Sequence, residues 1–190
     1  ASGVLSLTGY PNTEKFYKLP DYLGDFIPGN FGALAILMAL YFRHKTGKGQ
    51  YIDLAQSEAL MRLLWHFTFF NLTGKEIGRT GNSDPTMVPA SIFKTRDGKF
   101  MALACATEKQ FAGLCSAMDR EDLLKEKIYT DPFERLKPAN ADALTKIAGD
   151  WLKSLDAEEI TKLANDKGFP AAEVMDDYQI CHDSWRRQRG

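Results

Sequence analysis

The sequence predicts a mixed α/β protein of the α+β kind, with a helix-rich first part and a small α+β domain built on an antiparallel sheet. Three observations predict it. "IPGNFGALAILMALYFRH", from Ile27 to His44, is too long and too apolar for a surface strand. "SIFKTRDGKFMALACA" places Asp97-Gly98 between two alternating runs, as a β-hairpin requires. Four helical patterns then follow in succession. With 44% hydrophobic and 26% charged residues in 190, the chain can bury a core in one or two domains.

Taken in order, the apolar segment is expected to be a helix from about Ile27. Pro28 suits a first turn, where a missing N–H costs nothing. Apolar residues at Phe31, Leu34, Ile36, Leu37, Met38 and Leu40 cover several faces, so burial on several sides is expected. Gly47 should close the helix, with Arg43, His44 and Lys45 favourably placed in its last turn. "YIDLA" has the alternation of a short strand, and a second helix is expected from Ser57 to Leu72. "TGKEIGRTGNSDPTMVP" is a glycine- and proline-marked connection in which a domain boundary is placed.

Beyond the hairpin, helices are expected around Gln110–Met118, Arg120–Ile128, Ala141–Leu155 and Ala157–Asn165. Asp156 and Glu159 have capping-box spacing at the start of the last, and Gly168 closes it. "PAAEVMD" reads as a final strand before a short helix at Asp177–His182. The expected domains are residues 1–80, residues 81–176 and a return segment at 177–190.

A formal charge of −1 argues against a dedicated nucleic-acid surface. Cys105, Cys115 and Cys181 have no metal-ligand spacing and form no even disulfide set, so a reduced, cytoplasmic compartment is expected, with no bound metal. With Arg43, His44 and Lys45 ending the longest apolar run, none is expected to reach the roughly 20 residues of a membrane span, and no signal peptide is recognisable. An opening "ASGVLSLTG" without initiator Met suggests a central fragment of something longer.

Asp25, in "DYLGDFIPGN", is the strongest candidate for chemistry. Asp at a helix start is commonly an N-cap, accepting hydrogen bonds from unpaired N–H groups. The same place suits a covalent nucleophile, because backbone donors there can hold a developing oxyanion. Gly24 and Gly29 let backbone or ligand approach closely. Residue physics leaves both readings open. His44 reads as a helix-end cation, His66 as a satisfied core residue and His182 as a near-terminal residue; none has a Ser or Cys partner at triad spacing. "TGKGQ" lacks the full phosphate-loop pattern and follows a helix, so a cap is the better reading. "GRTGNSDP" is either an interdomain linker or a mobile lid.

"ASGVLSLTG", Gly24-Asp25 and "GALAILMALYFRHKTGKGQYIDLAQSEAL" together resemble the family III CoA-transferases, which include formyl-CoA and carnitine CoA-transferases. "GRTGN" and "GFPAAEVMD" resemble the family's entry into and exit from its small domain. The resemblance covers essentially all of the chain, loosely between Thr107 and Lys167.

The resemblance implies a helix-rich part of the large CoA-transferase domain followed by the small domain. It places the family's nucleophilic aspartate on Asp25, with Gly24 beside it, and a CoA-contacting strand end around Ala55-Gln56. A loop at Gly81-Asn82 would shield the reaction from water. It implies an acyl-CoA thioester and a carboxylic acid as substrates, coenzyme A thioester in place of any tightly bound cofactor, and a homodimer of interlocked full-length subunits. Nucleic acid and membrane are not implied partners. The glycine run of formyl-CoA transferases is interrupted here by Arg79-Thr80, and Asp84 and Ala90 stand where many relatives have His and Tyr, so oxalate or formate is not supported. Two alternatives are an α-methylacyl-CoA racemase of the same superfamily and an isolated domain without turnover.

Overall fold

The computed structural model describes residues 2–19 and 22–189. The chain divides into two compact units, Ala1–Gly81 and Asn82–Gly190.

The first unit contains α1 (Val4–Leu7), α2 (Leu23–Thr46), α3 (Gln56–Met61) and α4 (Trp65–Thr73). Gly47, at φ 72°, closes α2 by donating its N–H to the Arg43 carbonyl at 2.8 Å, as expected. The start of α2 differs from expectation. Tyr22 holds the cap position without a side-chain hydrogen bond, and Asp25 is the third helical residue, so it is not the N-cap. Pro28 consequently lies inside the second turn, where it removes the hydrogen bond that its N–H would give to Gly24.

Burial of α2 also differs from expectation. Among its residues only Pro28 is buried, while Leu37 and Met38 are 64% and 65% exposed. The described chain offers it α3 and the 51–55 segment as neighbours; a Cβ on Gly32 would sit 3.3 Å from the Leu54 side chain. By length and composition α2 could also cross a membrane, which the later start expected at Ile27 had hidden.

Residues 51–55 form no strand, because among the described residues no other strand lies beside them to complete a ladder. The helix expected at 57–72 is two helices, interrupted where Leu64 adopts an extended conformation. Neither glycine nor proline marks that break.

Arg79 anchors the N-terminal segment. Arg79 Nε donates to the Ser6 carbonyl at 3.0 Å, and Nη1 donates to Thr13 and Lys15 carbonyls at 2.7 and 2.8 Å. Its guanidinium stacks 5.0 Å from the Phe16 ring centroid.

The second unit is a three-stranded antiparallel sheet covered by helices. β1 (Ala90–Lys94) pairs with β2 (Phe100–Ala104), and β2 with β3 (Ala171–Glu173). Gly98, at φ 82°, supplies the expected hairpin turn, and Thr95 donates its hydroxyl to Asp97, which holds that carboxyl below its ordinary range. In β2, Met101 and Leu103 point inward while Phe100, Ala102 and Ala104 point outward.

Against them pack α5 (Glu108–Ala117), α8 (Pro138–Leu152) and α9 (Ala157–Lys167), through Phe111, Leu114, Leu144, Ala148, Leu152 and Ile160. Burying each of these larger side chains is worth roughly 1.5–3 kcal/mol. The expected helix at Arg120–Ile128 is a 3₁₀ segment, Glu121–Lys125, followed by α6 (Lys127–Thr130) and α7 (Pro132–Arg135). α8 begins three residues earlier than expected because Pro138 occupies its first turn. Glu159 accepts from the Asp156 N–H at 2.8 Å, which forms the expected box at the start of α9. Past β3, α10 (Asp177–His182) and α11 (Ser184–Arg189) follow, with Gln179 donating to Glu173 at 2.9 Å.

One charged side chain belongs to this core. Arg135 is 5% exposed, donates to the Tyr129 carbonyl at 2.6 Å and to Glu108, and lies 4.3 Å from the Phe111 ring centroid. Arg135→Ala would orphan the Tyr129 carbonyl and leave a cavity beside Phe111, so a loss of about 2–4 kcal/mol is expected in denaturant unfolding. Glu108→Gln should cost less than about 1 kcal/mol, because Glu108 is largely solvated. Equal losses for the two variants would contradict this assignment.

Candidate active site

The start of α2 and the start of α3 meet. α2 carries Asp25 in its first turn, and the extended backbone of Ala55 sets the direction in which Gln56 begins α3. The Gln56 side-chain amide donates from Nε2 to Asp25 Oδ1 at 3.0 Å, linking residues 31 apart in sequence. Both are exposed.

Tyr22, at the cap position of α2, makes no side-chain cap hydrogen bond, and the positive end of the helix dipole favours negative charge at this point. A Cβ added at Gly24, next to Asp25 in sequence, would meet nothing within 4 Å among the described residues. An exposed carboxylate with one oxygen hydrogen-bonded, and the other without a hydrogen bond among the described residues, can attack an electrophilic carbonyl. The cavities of the first unit, about 440–490 Å³ in volume, are lined by other residues, such as Met61, Tyr41 and Phe67.

The remaining sequence candidates are Gly81 and Asn82. Gly81, at φ 63°, donates its N–H to the Gly9 carbonyl at 3.0 Å. A Cβ on it would come within 2.8 Å of the Tyr10 ring, so both its conformation and its neighbour demand glycine. Asn82 is exposed and opens the second unit. The structure therefore joins Asp25, Gly24 and Gln56, and holds Gly81 against the N-terminal segment.

Arg79, read from sequence only as an interruption between two glycines, is the side chain that anchors that segment. Its acceptors lie 64 to 73 residues away, beyond the reach of any local signal.

The histidines do not join Asp25. His66 stacks on Trp65 at 4.7 Å, and its buried Nδ1 has no hydrogen-bond partner among the described residues, in contrast to the satisfied core residue expected. His182 stacks on Tyr178 and contacts its carbonyl at 2.8 Å. Burial pushes the Cys105 thiol up to about 12, with the Cys115 charge adding to it, and burial pushes Cys115 up to about 11. Neither is a thiolate near neutral pH. At about pH 8 a maleimide should label exposed Cys181 rapidly and the other two only after unfolding. Rapid labelling of all three in the folded protein would contradict the burial. Among the described residues, no group of three or more His, Cys, Asp or Glu side chains could hold a metal ion.

Comparison with known proteins supplies the context for this geometry. The family profile described as CoA-transferase family III matches residues 1–190. The alpha subunit of succinyl-CoA–L-malate CoA-transferase from Chloroflexus aurantiacus is 34% identical over 190 residues, covering 100% of this chain and 44% of that protein. Succinyl-CoA:mesaconate CoA-transferase from Haloarcula hispanica is 31% identical over 182 residues, covering 95% of this chain and 44% of that protein. The crystal structure of a CAIB/BAIF family protein from Brucella suis superposes with a TM-score of 0.71 at 28% identity, over 100% of this chain and 49% of that one. The chain spans about half the length of the curated relatives it matches.

Proposed function

This chain belongs to CoA-transferase family III, and from that premise we propose that the protein carrying it moves coenzyme A between an acyl-CoA thioester and a carboxylic acid, with Asp25 as nucleophile. The observation that carries the reading is the Asp25 carboxylate itself: exposed, in the first turn of α2, and oriented by Gln56.

An Asp25 oxygen attacks the thioester carbonyl. The C–S bond breaks, CoA leaves as thiolate, and an aspartyl–acyl anhydride remains. The thiolate then attacks Cγ of Asp25, the bond to the acyl group breaks, and the donor acid departs from an enzyme–CoA thioester. An acceptor carboxylate attacks that thioester and the steps reverse. Two modest barriers replace one high barrier, and the residues present need no redox group or metal for this exchange. Shielding the anhydride from water falls to the Gly81-Asn82 loop in this reading.

The substrates are an acyl-CoA and a carboxylic acid; the named substrates of the Chloroflexus and Haloarcula relatives, succinyl-CoA with malate or mesaconate, favour a dicarboxylic acid. The domains are taken as residues 1–80, 81–176 and 177–190, the last returning toward the large domain. The apolar surface of α2 is covered by protein in the complete molecule, a homodimer in the cytoplasm, and not by lipid.

Acyl exchange tests the reaction class. Incubation of the complete natural protein with an acyl-CoA and an isotopically labelled acid should transfer label into the thioester pool. Deuterium wash-in at the acyl Cα without such transfer would assign the racemase reaction instead.

A further inference from the structure

Resting on that reading, we infer that Gln56 is a catalytic residue: its amide is the oxyanion donor for the step in which CoA attacks Asp25. The inference follows from which oxygen is held. Nε2 of Gln56 donates to Oδ1 at 3.0 Å, and Oδ2 carries no hydrogen bond among the described residues. Oδ2 is therefore the freer nucleophile, since a donated hydrogen bond lowers the electron density of the oxygen that accepts it.

When Oδ2 bonds to the acyl carbon, Oδ1 becomes the carbonyl oxygen of the aspartyl half of the anhydride. CoA thiolate then attacks Cγ, and the electron pair of the Cγ=Oδ1 bond moves onto Oδ1. The negative charge appears on the atom already facing the Gln56 amide. Collapse of that intermediate restores the Cγ=Oδ1 bond and expels the acyl carboxylate through Oδ2. Attack by the acceptor acid on the enzyme–CoA thioester places charge on the same oxygen again, so one donor serves both exchanges at Cγ.

The first step has the opposite demand. Attack by Oδ2 on the substrate thioester drains charge from the Asp25 carboxylate, so the Gln56 hydrogen bond weakens as that transition state is reached. A donor in this position slows anhydride formation slightly or leaves it unchanged, and accelerates formation of the enzyme–CoA thioester. Removing one such donor typically costs about 10²–10³ in rate.

The test is rapid-quench kinetics of the complete natural protein with acyl-CoA, comparing wild type, Gln56→Leu, Gln56→Glu and Asp25→Asn. The Leu variant removes the donor with little change of size, and the Glu variant keeps the shape if Leu perturbs folding. The Gln56 variants should form CoA-modified Asp25 about 10²–10³ more slowly, with the first release of CoA thiol unchanged or faster and KM for acyl-CoA within about threefold. A Gln56 variant that keeps kcat within about threefold, or that raises KM alone, overturns the inference while an inactive Asp25→Asn leaves the transferase reading standing. Full turnover by Asp25→Asn would overturn both.

Discussion

Gly113→Ala is expected to destabilise the second unit by about 2 kcal/mol net, lowering its melting temperature on the order of 10 °C. Gly113 lies on α5 where α9 ends. A Cβ built there would clash with the Lys167 carbonyl oxygen and sit 3.3 Å from the carbonyl carbon. Both atoms are backbone, so no rotamer change relieves the clash. The Lys167 carbonyl also cannot retreat easily. Gly168, at φ 74°, and Phe169 both donate to the Ala164 carbonyl, at 2.9 and 3.1 Å, and this fixes the end of α9.

Alanine gains about 1 kcal/mol over glycine in helix propensity, which offsets part of the overpacking cost but not all of it. Gly149→Ala is the control. Its Cβ would meet the Phe93 ring at 3.1 Å, a side chain that can turn aside, so a change within about 1 kcal/mol is expected. Thermal melts followed by circular dichroism distinguish the two. A Gly113→Ala protein as stable as wild type would mean that α5 and α9 do not approach as described.

The second large effect is on activity. Asp25→Asn should lower turnover at least about 10⁴-fold, because a carboxamide cannot form the anhydride. Stability should move by less than about 1 kcal/mol. Asp25 is exposed, does not cap the helix, and contributes only a first-turn charge and one solvated hydrogen bond. Separation of these two effects is what a nucleophile predicts and a structural aspartate does not. Loss of stability in proportion to loss of turnover would favour the structural role.

Features set by a few adjacent residues were legible in the sequence. The Asp97-Gly98 turn, the Asp156–Glu159 box and the Gly47 and Gly168 helix ends all form where their local chemistry put them. Each draws its stabilisation from groups within about four residues, so no distant partner is needed.

Features that depend on a remote partner were not legible. The alternation in residues 51–55 satisfies strand chemistry, yet no neighbour among the described residues completes a ladder there. α2 has the composition of a buried helix but meets too little apolar surface to bury it. No local pattern marks Arg135, which becomes a core residue through the carbonyl of Tyr129 and the ring of Phe111. At the candidate site, the helix-start aspartate was visible as a choice between cap and nucleophile. Its displacement into the helix removed the cap, and the resemblance to a CoA-transferase family supplied the chemistry. The Gln56 contact bridges 31 residues and became visible only in three dimensions.

The most direct measurement is peptide mapping of the complete natural protein quenched during turnover with acyl-CoA. The expected result is coenzyme A attached through a hydroxylamine-labile thioester to the side chain of Asp25, absent from Asp25→Asn. An Asp25 peptide that stays unmodified in protein actively exchanging acyl groups, with CoA attached to another side chain or to none, would contradict it.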